Sequence, residues 1–237
     1  MPRAKKSVVA KNRVTVRRAP SPPREVVDPR AVIMDAAERL CAERGLEAVS
    51  VRDIVAEAKV NLASINYYFG SRNNLLVAIL KRRSAEIEGE RQVLLAEAAR
   101  KTPPELRDIV RAVMTPLAHW RAPDSPRRHA LQFLSRALTA SLPELKKETD
   151  AGVEGFRAVV DLLARALPHL SRDEICWRFH FMMSIEHMNQ WDTERLQVLS
   201  DGRCGGKDPN EELERAVDFV MAGFMAPTRA GLRGRSN

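Results

Sequence analysis

The sequence predicts an all-α protein with a compact three-helix unit near the N-terminus and a larger helical bundle after it, about nine helices in total. Three observations support this prediction. Apolar residues recur at helical spacing along most of the chain, and no alternating run is long enough for a strand. Capping side chains also stand directly before prolines, as they do at helix starts. Four positions show this arrangement: Asp28, Thr102, Ser125 and Asp208.

Length and composition describe an ordinary globular chain. The 237 residues suffice for one or two domains, with 44% hydrophobic and 30% charged residues. The longest stretch without a charged residue, 60–71, has twelve residues and is polar, so we expect no membrane-spanning helix and no membrane partner. The N-terminus lacks the apolar segment of a signal peptide, and the three cysteines are too scattered for a disulfide framework. These features favour a cytoplasmic protein.

The positive charge is concentrated at the N-terminus. Residues 1–24 contain eight Lys or Arg and no acid, whereas the remainder has 31 residues of each sign, so the arm accounts for the formal net charge of +8. We expect residues 1–27 to form a disordered basic arm that attracts phosphate. The same composition fits a solubility tail or a misassigned start codon. Residues 228–237 are expected to form a flexible tail.

The helices can be placed in order from their start and stop signals. The second helix is capped by Ser50 with Asp53 reaching back, and the third is bounded by Asn61 and Gly70. The predicted helices cover about 29–44, 51–58, 62–69, 72–100, 103–121, 126–141, 143–167, 172–197 and 209–225. A loop with three glycines, 200–208, separates the last two helices.

Residues 28–75 have the organisation of a helix-turn-helix domain. Two short helices are joined by the tight turn 59–61 and braced by the longer first helix, which carries an apolar stripe. In this motif the second short helix enters the major groove of DNA with its N-terminal residues at the base edges. The alternative is an ordinary three-helix pack with a polar patch, since residues 28–72 contain six basic and seven acidic side chains.

The surface of the third helix suits DNA recognition. Its small residues allow close approach to a groove, Asn66 can bond bidentately to adenine, and the Tyr67 hydroxyl can donate to phosphate. Basic side chains flank the helix on both sides. The predicted DNA-binding residues are Ser50, Arg52, Lys59, Asn61, Leu62, Ala63, Ser64, Asn66, Tyr67, Tyr68 and Arg72.

Segments from Arg30 to Leu76 resemble the N-terminal domain of tetracycline-repressor (TetR) family regulators. The resemblance includes an AAxxL segment at 36–40, ERG at 43–45, SVRDIVAEAKV at 50–60 and NLASINYYFGSRNNL at 61–75. It implies a transcriptional regulator that binds DNA. Many family members have Lys where this chain has Leu62 and Tyr where it has Asn66, which implies fewer phosphate contacts and a different base preference. Arg72 stands where the family usually has Lys and keeps the charge.

Residues 103–226 resemble the C-terminal domain of the PsrA-type, fatty-acid-responsive subgroup of that family. The resembling pieces are LSRAL at 134–138, RALP at 165–168, ICWRFHF at 175–181 and the segment 219–227. The resemblance implies a ligand-binding and dimerisation domain, 76–227, whose last two long helices pair with those of a second subunit. It also implies an apolar or acyl-CoA-like effector.

Two sets of residues are candidates within this domain. The predicted ligand-binding set is Trp120, Phe133, Arg136, Phe156, Trp177, His180, Phe181, Met183 and His187. The predicted dimerisation set is Ile185, Met188, Leu213, Val217, Val220 and Phe224. For both sets the alternative is a plain role in the core of one subunit. We expect no metal and no cofactor, since no third ligand accompanies His180 and His187.

These features favour a homodimeric, ligand-responsive repressor that binds a palindromic operator and releases it when the effector binds. On this reading the fourth helix is the only direct connection between the two halves and must carry the coupling. An enzyme is disfavoured because the chain contains no P-loop, GxSxG, GxGxxG or Glu-x-x-His motif. The remaining alternative is a non-specific DNA-binding protein that acts through the basic arm.

Overall fold

The computed structural model describes residues 28–189, 193–204 and 208–228, and within these residues it is all-α, with no strand. The fold class predicted from the sequence is therefore confirmed. The helices are α1 (Pro29–Arg44), α2 (Val51–Ala58), α3 (Leu62–Phe69), α4 (Arg72–Ala98), α5 (Leu106–Arg121), α6 (Arg128–Thr139), α7 (Pro143–Gly152), α8 (Arg157–Ala166), α9 (Arg172–Asn189), α10 (Thr193–Leu199) and α11 (Pro209–Met225). No helix in this part of the chain is both long and apolar enough to cross a membrane. The predicted basic arm, 1–27, lies outside the described residues, as does the predicted tail beyond residue 228.

The first three helices have the predicted bounds because their caps form as predicted. The Asp28 side chain accepts from the backbone N–H of Arg30, at 2.9 Å. Ser50 and Asp53 form a reciprocal capping box at the start of α2, which satisfies backbone donors that have no partner inside the helix. Gly45 ends α1 and Gly70 ends α3, both with positive φ.

Two later helices begin further along than predicted. α5 begins at Leu106 rather than at Pro103, because Pro104 forces the residue before it out of the helical region. Thr102 therefore does not cap this helix, and Glu105 occupies the cap position without a side-chain hydrogen bond. α6 begins at Arg128, two residues after the predicted start.

The predicted single helix 143–167 is wrong. The structure divides it into α7, a 3₁₀ turn at Val153–Phe156 and α8. Gly152 is the last residue of α7 and Gly155 lies within the 3₁₀ turn. Glycine is a poor residue for a helix interior. Within the predicted helix 172–197 the structure describes α9 and the start of α10, and residues 190–192 between them lie outside the described residues.

The buried apolar residues form two cores. The first gathers α1, α2, α3 and the N-terminal half of α4 together with α6, Trp120 and Leu145. The second lies among the C-terminal end of α4, α5, α8, α9 and α11. The long helix α4 contributes to both cores, with Leu76 in the first and Ala98 in the second.

The α6 helix packs directly on α1. Its buried face belongs to the first core and includes Leu131, Leu134 and Ala137. The prediction that α4 is the only connection between the two halves is therefore wrong, because the predicted ligand-binding domain reaches the helix-turn-helix unit by a second route. The periodicity of α6 showed an apolar stripe but could not show which helix the stripe would meet.

A buried ion-pair cluster also holds α1 against α4. Glu38, which is buried, accepts from the Arg83 guanidinium at 2.6 and 2.9 Å and from Arg82 at 3.4 Å. Arg82 also pairs with Asp35, at 2.7 Å. The paired arrangement matters because an unpaired charge at this depth would be costly.

Candidate nucleic-acid interface and effector site

The α3 helix presents two distinct faces. Ile65 and Phe69 are buried against the first core, whereas Leu62, Ala63 and Asn66 are exposed. Tyr67 is 82% exposed, so it is available to contact a large partner. This placement agrees with the division of faces predicted from the sequence.

The N-terminus of α3 is held by its cap. The Asn61 side-chain oxygen accepts from both the backbone N–H and the hydroxyl of Ser64, each at 3.0 Å. These two residues therefore fix the start of the helix, and the Ser64 hydroxyl can still accept one further hydrogen bond. Tyr68 is half-buried beside Tyr67, and the two rings meet edge to face with centroids 4.9 Å apart.

The residues of α2 that flank this face divide into capping and free positions. Ser50 is engaged with Asp53, and hydrogen bonds from Ser50 lower the pKa of the Asp53 carboxyl. Arg52 is exposed at the start of the helix. Lys59 is exposed at its end, where a positive φ of 54° turns the chain towards α3. Arg52 and Lys59 are therefore both accessible to an anionic partner.

Arg72 is directed elsewhere than predicted. Its Nε donates to the carbonyl of Val49 at 2.9 Å, and its guanidinium also donates to the carbonyl of Leu46. The side chain is half-buried and ties the start of α4 to the loop between α1 and α2. The sequence shows a positively charged residue at this position. It could not show that the guanidinium would donate hydrogen bonds to two loop carbonyls.

Three acidic residues of the three-helix unit are engaged in ion pairs. Asp35 and Glu38 on α1 pair with arginines of α4. Glu57 on α2 pairs with Arg39 of α1. The charges of these acids are thus compensated, whereas the cations Arg52 and Lys59 are exposed. A short, exposed recognition helix on a braced two-helix turn defines a helix-turn-helix DNA-binding protein.

Comparison with known families agrees with this class. Residues 33–79 match the family described as "Bacterial regulatory proteins, tetR family". Residues 88–223 match the family described as "Tetracyclin repressor-like, C-terminal domain". The chain therefore belongs to the TetR family and is a DNA-binding transcriptional regulator.

Curated relatives match over a short stretch of the chain. An HTH-type transcriptional repressor of Mycobacterium tuberculosis, Rv3405c, is 46% identical over 50 residues, which is 21% of this chain and 27% of that protein. An HTH-type transcriptional regulator of Mycobacterium bovis, Mb3439c, matches to the same extent. The chain thus spans about a quarter of the length of these relatives.

Solved structures match along most of the chain. The fatty acid degradation regulator FadR from Bacillus halodurans superimposes with a TM-score of 0.62 at 15% identity, covering 86% of this chain and 100% of that one. A TetR family regulator from Marinobacter aquaeolei VT8 gives 0.59 at 17% identity, covering 82% and 94%. At this level of identity the likeness concerns the fold.

The predicted ligand-binding residues that the structure describes are divided between the two cores and the surface. Trp120 and Phe133 are buried in the first core, where the Trp120 indole N–H donates to Glu90 at 3.3 Å. Phe156 and Met183 instead pack against the second core. Trp120 and Phe133 therefore have the plain core role that the sequence left open. The sequence could not show which of the two cores each predicted residue would join.

The remaining members of that set lie at surfaces or at the domain junction. Trp177, His180 and Phe181 are exposed on α9, where the Trp177 and Phe181 rings stack with centroids 5.8 Å apart. Arg136 is half-buried on α6 and lies close to Gly45 at the end of α1. The side chain of His187 lies outside the described part of the chain.

The predicted dimerisation stripe of α11 is largely used inside one subunit. Its four members, Leu213, Val217, Val220 and Phe224, are all buried in the second core. The α11 helix packs on α5 and α9, which take up this stripe. Ile185 of α9 is partly buried against the same core, and the side chain of Met188 lies outside the described residues.

A second apolar face of the two helices was missed. Phe219 and Met225 on α11 are 70% and 64% exposed, and Trp177 and Phe181 on α9 are 61% and 56% exposed. We call these four residues the aromatic face. Phe219 and Met225 both lie off the buried stripe of α11, which was the available signal, although their spacing sets them about 120° apart around the helix.

Sequence reasoning also gave no role to Glu186. This side chain is 4% exposed, and burial raises the pKa of its carboxyl to about 7. No signal in the sequence distinguishes it from the many exposed glutamates of the chain.

Proposed function

We propose that the protein is a homodimeric, ligand-responsive repressor that inserts α3 into the major groove of a palindromic operator. The observation that carries this proposal is the exposed face of α3, which includes Asn66 and Tyr67, together with the exposed cations Arg52 and Lys59 of the preceding helix and turn. A base-reading face of this size covers few base pairs, so specificity requires a second copy about one helical turn, roughly 35 Å, away. Since its target is chromosomal DNA, we expect it to act in the cytoplasm.

The aromatic face supports the homodimer. It comprises Trp177 and Phe181 on α9 with Phe219 and Met225 on α11, the last two long helices of the chain. Large apolar side chains at this exposure are typical of protein interfaces. Two copies related by a twofold axis would cover this face with the same face and form a four-helix seam.

The two packed connections between the halves support ligand response. A change in the second core would reach α3 through α4, which belongs to both cores, and would reach α1 through α6. An effector shifts the equilibrium only if it binds better to the arrangement in which the two α3 helices are wrongly spaced. We accordingly keep 28–75 as the DNA-binding region and 76–227 as the effector and dimer region, with α6 as a shared element.

We propose a small, largely apolar effector. An acyl-CoA-like molecule is the class implied by the sequence resemblance to the PsrA-type subgroup. The alternative function is non-specific DNA binding through the basic arm, favoured by the eight cations of residues 1–24.

Selection of genomic fragments by the purified full-length protein at near-physiological salt tests the proposal. We expect recovery of a palindrome with half-sites about one helical turn apart. The protein lacking residues 1–24 serves as the comparison, and we expect it to select the same motif with weaker salt dependence. Fragments without a shared motif, and loss of all binding in the shortened protein, would instead establish the arm as the DNA-binding element.

A further inference from the structure

Glu186 on α9 is a buried carboxylate without a hydrogen-bond donor. The residue is 4% exposed, and neither oxygen accepts a hydrogen bond from the described residues. A buried carboxylate in this condition is costly, whether it stays ionised or takes up a proton. Elsewhere in this protein the buried acid Glu38 has two arginine partners, so the lack of one at Glu186 is a local feature.

The carboxylate lines a small cavity between α5, α9 and α11. The other walls are mostly apolar and come from Met114, Leu117 and Ala118 on α5 and from Leu213 and Ala216 on α11. The cavity has a volume of about 20 Å³, which is room for one group about the size of a water molecule. The Glu186 carboxylate and the apolar side chains thus surround a space that one small hydrogen-bond donor would fill.

The cavity adjoins a larger cleft. Leu213 lines both, so this side chain forms part of the wall between the two spaces. The cleft lies among α4, α5 and α11 and has a volume of about 460 Å³. Apolar residues such as Leu94 and Ala112 form part of its lining, and charged residues such as Lys101 and Asp108 form another part. A volume of this order is in the range of small-molecule sites.

Charged groups around the cavity do not neutralise the carboxylate. Arg91 of α4 acts on Glu186 through space, but it is held by Glu88 at 3.0 Å and by the carbonyl of Val113 at 3.4 Å. Arg121 of α5 pairs with Glu212 of α11 across the cavity lining, at 2.7 Å. Glu186 therefore has one cation nearby, Arg91, which is held by other partners. The ion pair of Arg121 and Glu212 lies beside it.

We propose that Glu186 binds the protonated amine of an effector whose apolar body lies against the apolar part of the adjoining cleft, formed by Leu94, Ala112 and Leu213. The inference rests on the proposed ligand-responsive function and names its ligand class. An ammonium group is close to water in size, brings the donors that both carboxylate oxygens lack and compensates the buried charge. An acidic ligand would place a second negative charge next to Glu186.

Binding of a cation at this site has a defined pH dependence. With a pKa of about 7, the free carboxyl is mostly protonated at pH 6 and must release its proton before it pairs with an ammonium. An alkylamine, with a pKa near that of lysine (~10), stays charged throughout this range. Affinity should rise about tenfold per pH unit below pH 7 and level off above it.

Calorimetric titration of the full-length protein with n-octylamine tests the proposal, with n-octanol, octanoate and octanoyl-CoA as ligands matched in chain length. At pH 8 we expect octylamine to bind at least tenfold more tightly than the other three. Glu186→Gln should remove at least tenfold of that affinity and abolish its pH dependence. Asp173→Asn removes a charge from an exposed position of the same helix and should leave octylamine binding as in the wild type.

Several outcomes would overturn the proposal. These are equal or tighter binding of octanoate or octanoyl-CoA, octylamine binding that survives Glu186→Gln, and wild-type octylamine affinity that is flat from pH 6 to 8. The pH profile needs no variant, so the proposal can be decided even if the substitution perturbs folding. Operator binding is measured in parallel by fluorescence anisotropy: its absence refutes the proposed function, whereas operator release by octanoyl-CoA alone refutes only the amine site.

Discussion

Arg136 of α6 lies against Gly45 at the end of α1, with its Nη1 atom 3.1 Å from the point that a Cβ on Gly45 would occupy. Gly45 also has a φ of +97°, which side chains rarely tolerate. The contact joins the proposed effector region to the helix-turn-helix unit at a position where the backbone conformation favours glycine.

We expect Gly45→Ala to lower the free energy of unfolding by about 1–3 kcal/mol, because alanine is strained at this φ. Urea unfolding at fixed protein concentration measures the change. Gly89 of α4 is the matched control, since it is helical and a Cβ there meets nothing within 4 Å. Gly89→Ala should therefore be neutral or stabilising. Equal losses in both variants would contradict the assignment of strain to Gly45.

Tyr67→Ala should weaken binding to the selected operator by about 1–3 kcal/mol without loss of helicity, because the side chain is exposed on α3 and makes little contribution to the core. Fluorescence anisotropy and circular dichroism measure the two effects. Tyr67→Phe separates the roles of ring and hydroxyl: a loss confined to the hydroxyl would indicate a phosphate contact. Unchanged sequence preference in the alanine variant would remove α3 from the interface.

Arg52 and Arg72 should respond differently to the same substitution. Arg72→Met removes donors from the carbonyls of Val49 and Leu46, so we expect a loss of about 1–3 kcal/mol in stability. Arg52→Met should leave stability within ~0.5 kcal/mol and reduce the slope of log affinity against log salt by about one. The reverse pattern would show that Arg72 contacts phosphate and Arg52 holds the fold.

Phe181→Glu should convert the dimer to monomer and abolish operator binding at nanomolar concentrations, since it places a charge in the centre of the aromatic face. Sedimentation analysis measures the oligomeric state. Val93→Glu, at an apolar position of α4 that is 63% exposed, is the matched control and should remain dimeric. A dimeric Phe181→Glu protein would mean that subunits associate through another surface.

Glu186→Gln should stabilise the folded protein at pH 8 by about 3 kcal/mol and have little effect near pH 4.5. The sign follows from the raised pKa: the wild-type protein loses stability as pH rises from the unfolded value, 4.5, to the folded value, about 7, and the amide does not titrate. Urea unfolding at pH 5, 6, 7 and 8 measures the difference. A difference that stays constant across this range would mean that Glu186 is already paired in the folded state.

Whether a feature of the fold could be predicted depends on how far apart in the sequence its interacting residues lie. The bounds of α1, α2 and α3 depend on neighbours within four residues, such as Ser50 with Asp53, and these were predicted. The exposed face of α3 was also predicted, because a short helix has only one side to bury. Local capping rules thus sufficed for the helix-turn-helix unit.

Partners distant in the chain were not predictable. Arg72 bonds to carbonyls 23 and 26 residues away, and the stripe of α11 meets α5 about a hundred residues earlier. The break between α7 and α8 depends on weak helix formers, Gly152 and Gly155, whose effect tertiary packing can override. Glu186 is distinguished only by its three-dimensional surroundings.

The first core has a consequence for engineering. It closes over α1 with residues of α6 and with Trp120, so it is assembled from both proposed domains. A fragment that ends after α3 or within α4 would expose Ile33, Leu40 and their neighbours to water and should not remain a stable monomer. Retargeting this repressor to another operator is therefore a matter of altering the surface of α3 in place, and a grafted three-helix unit would need to carry a matching α6 with it.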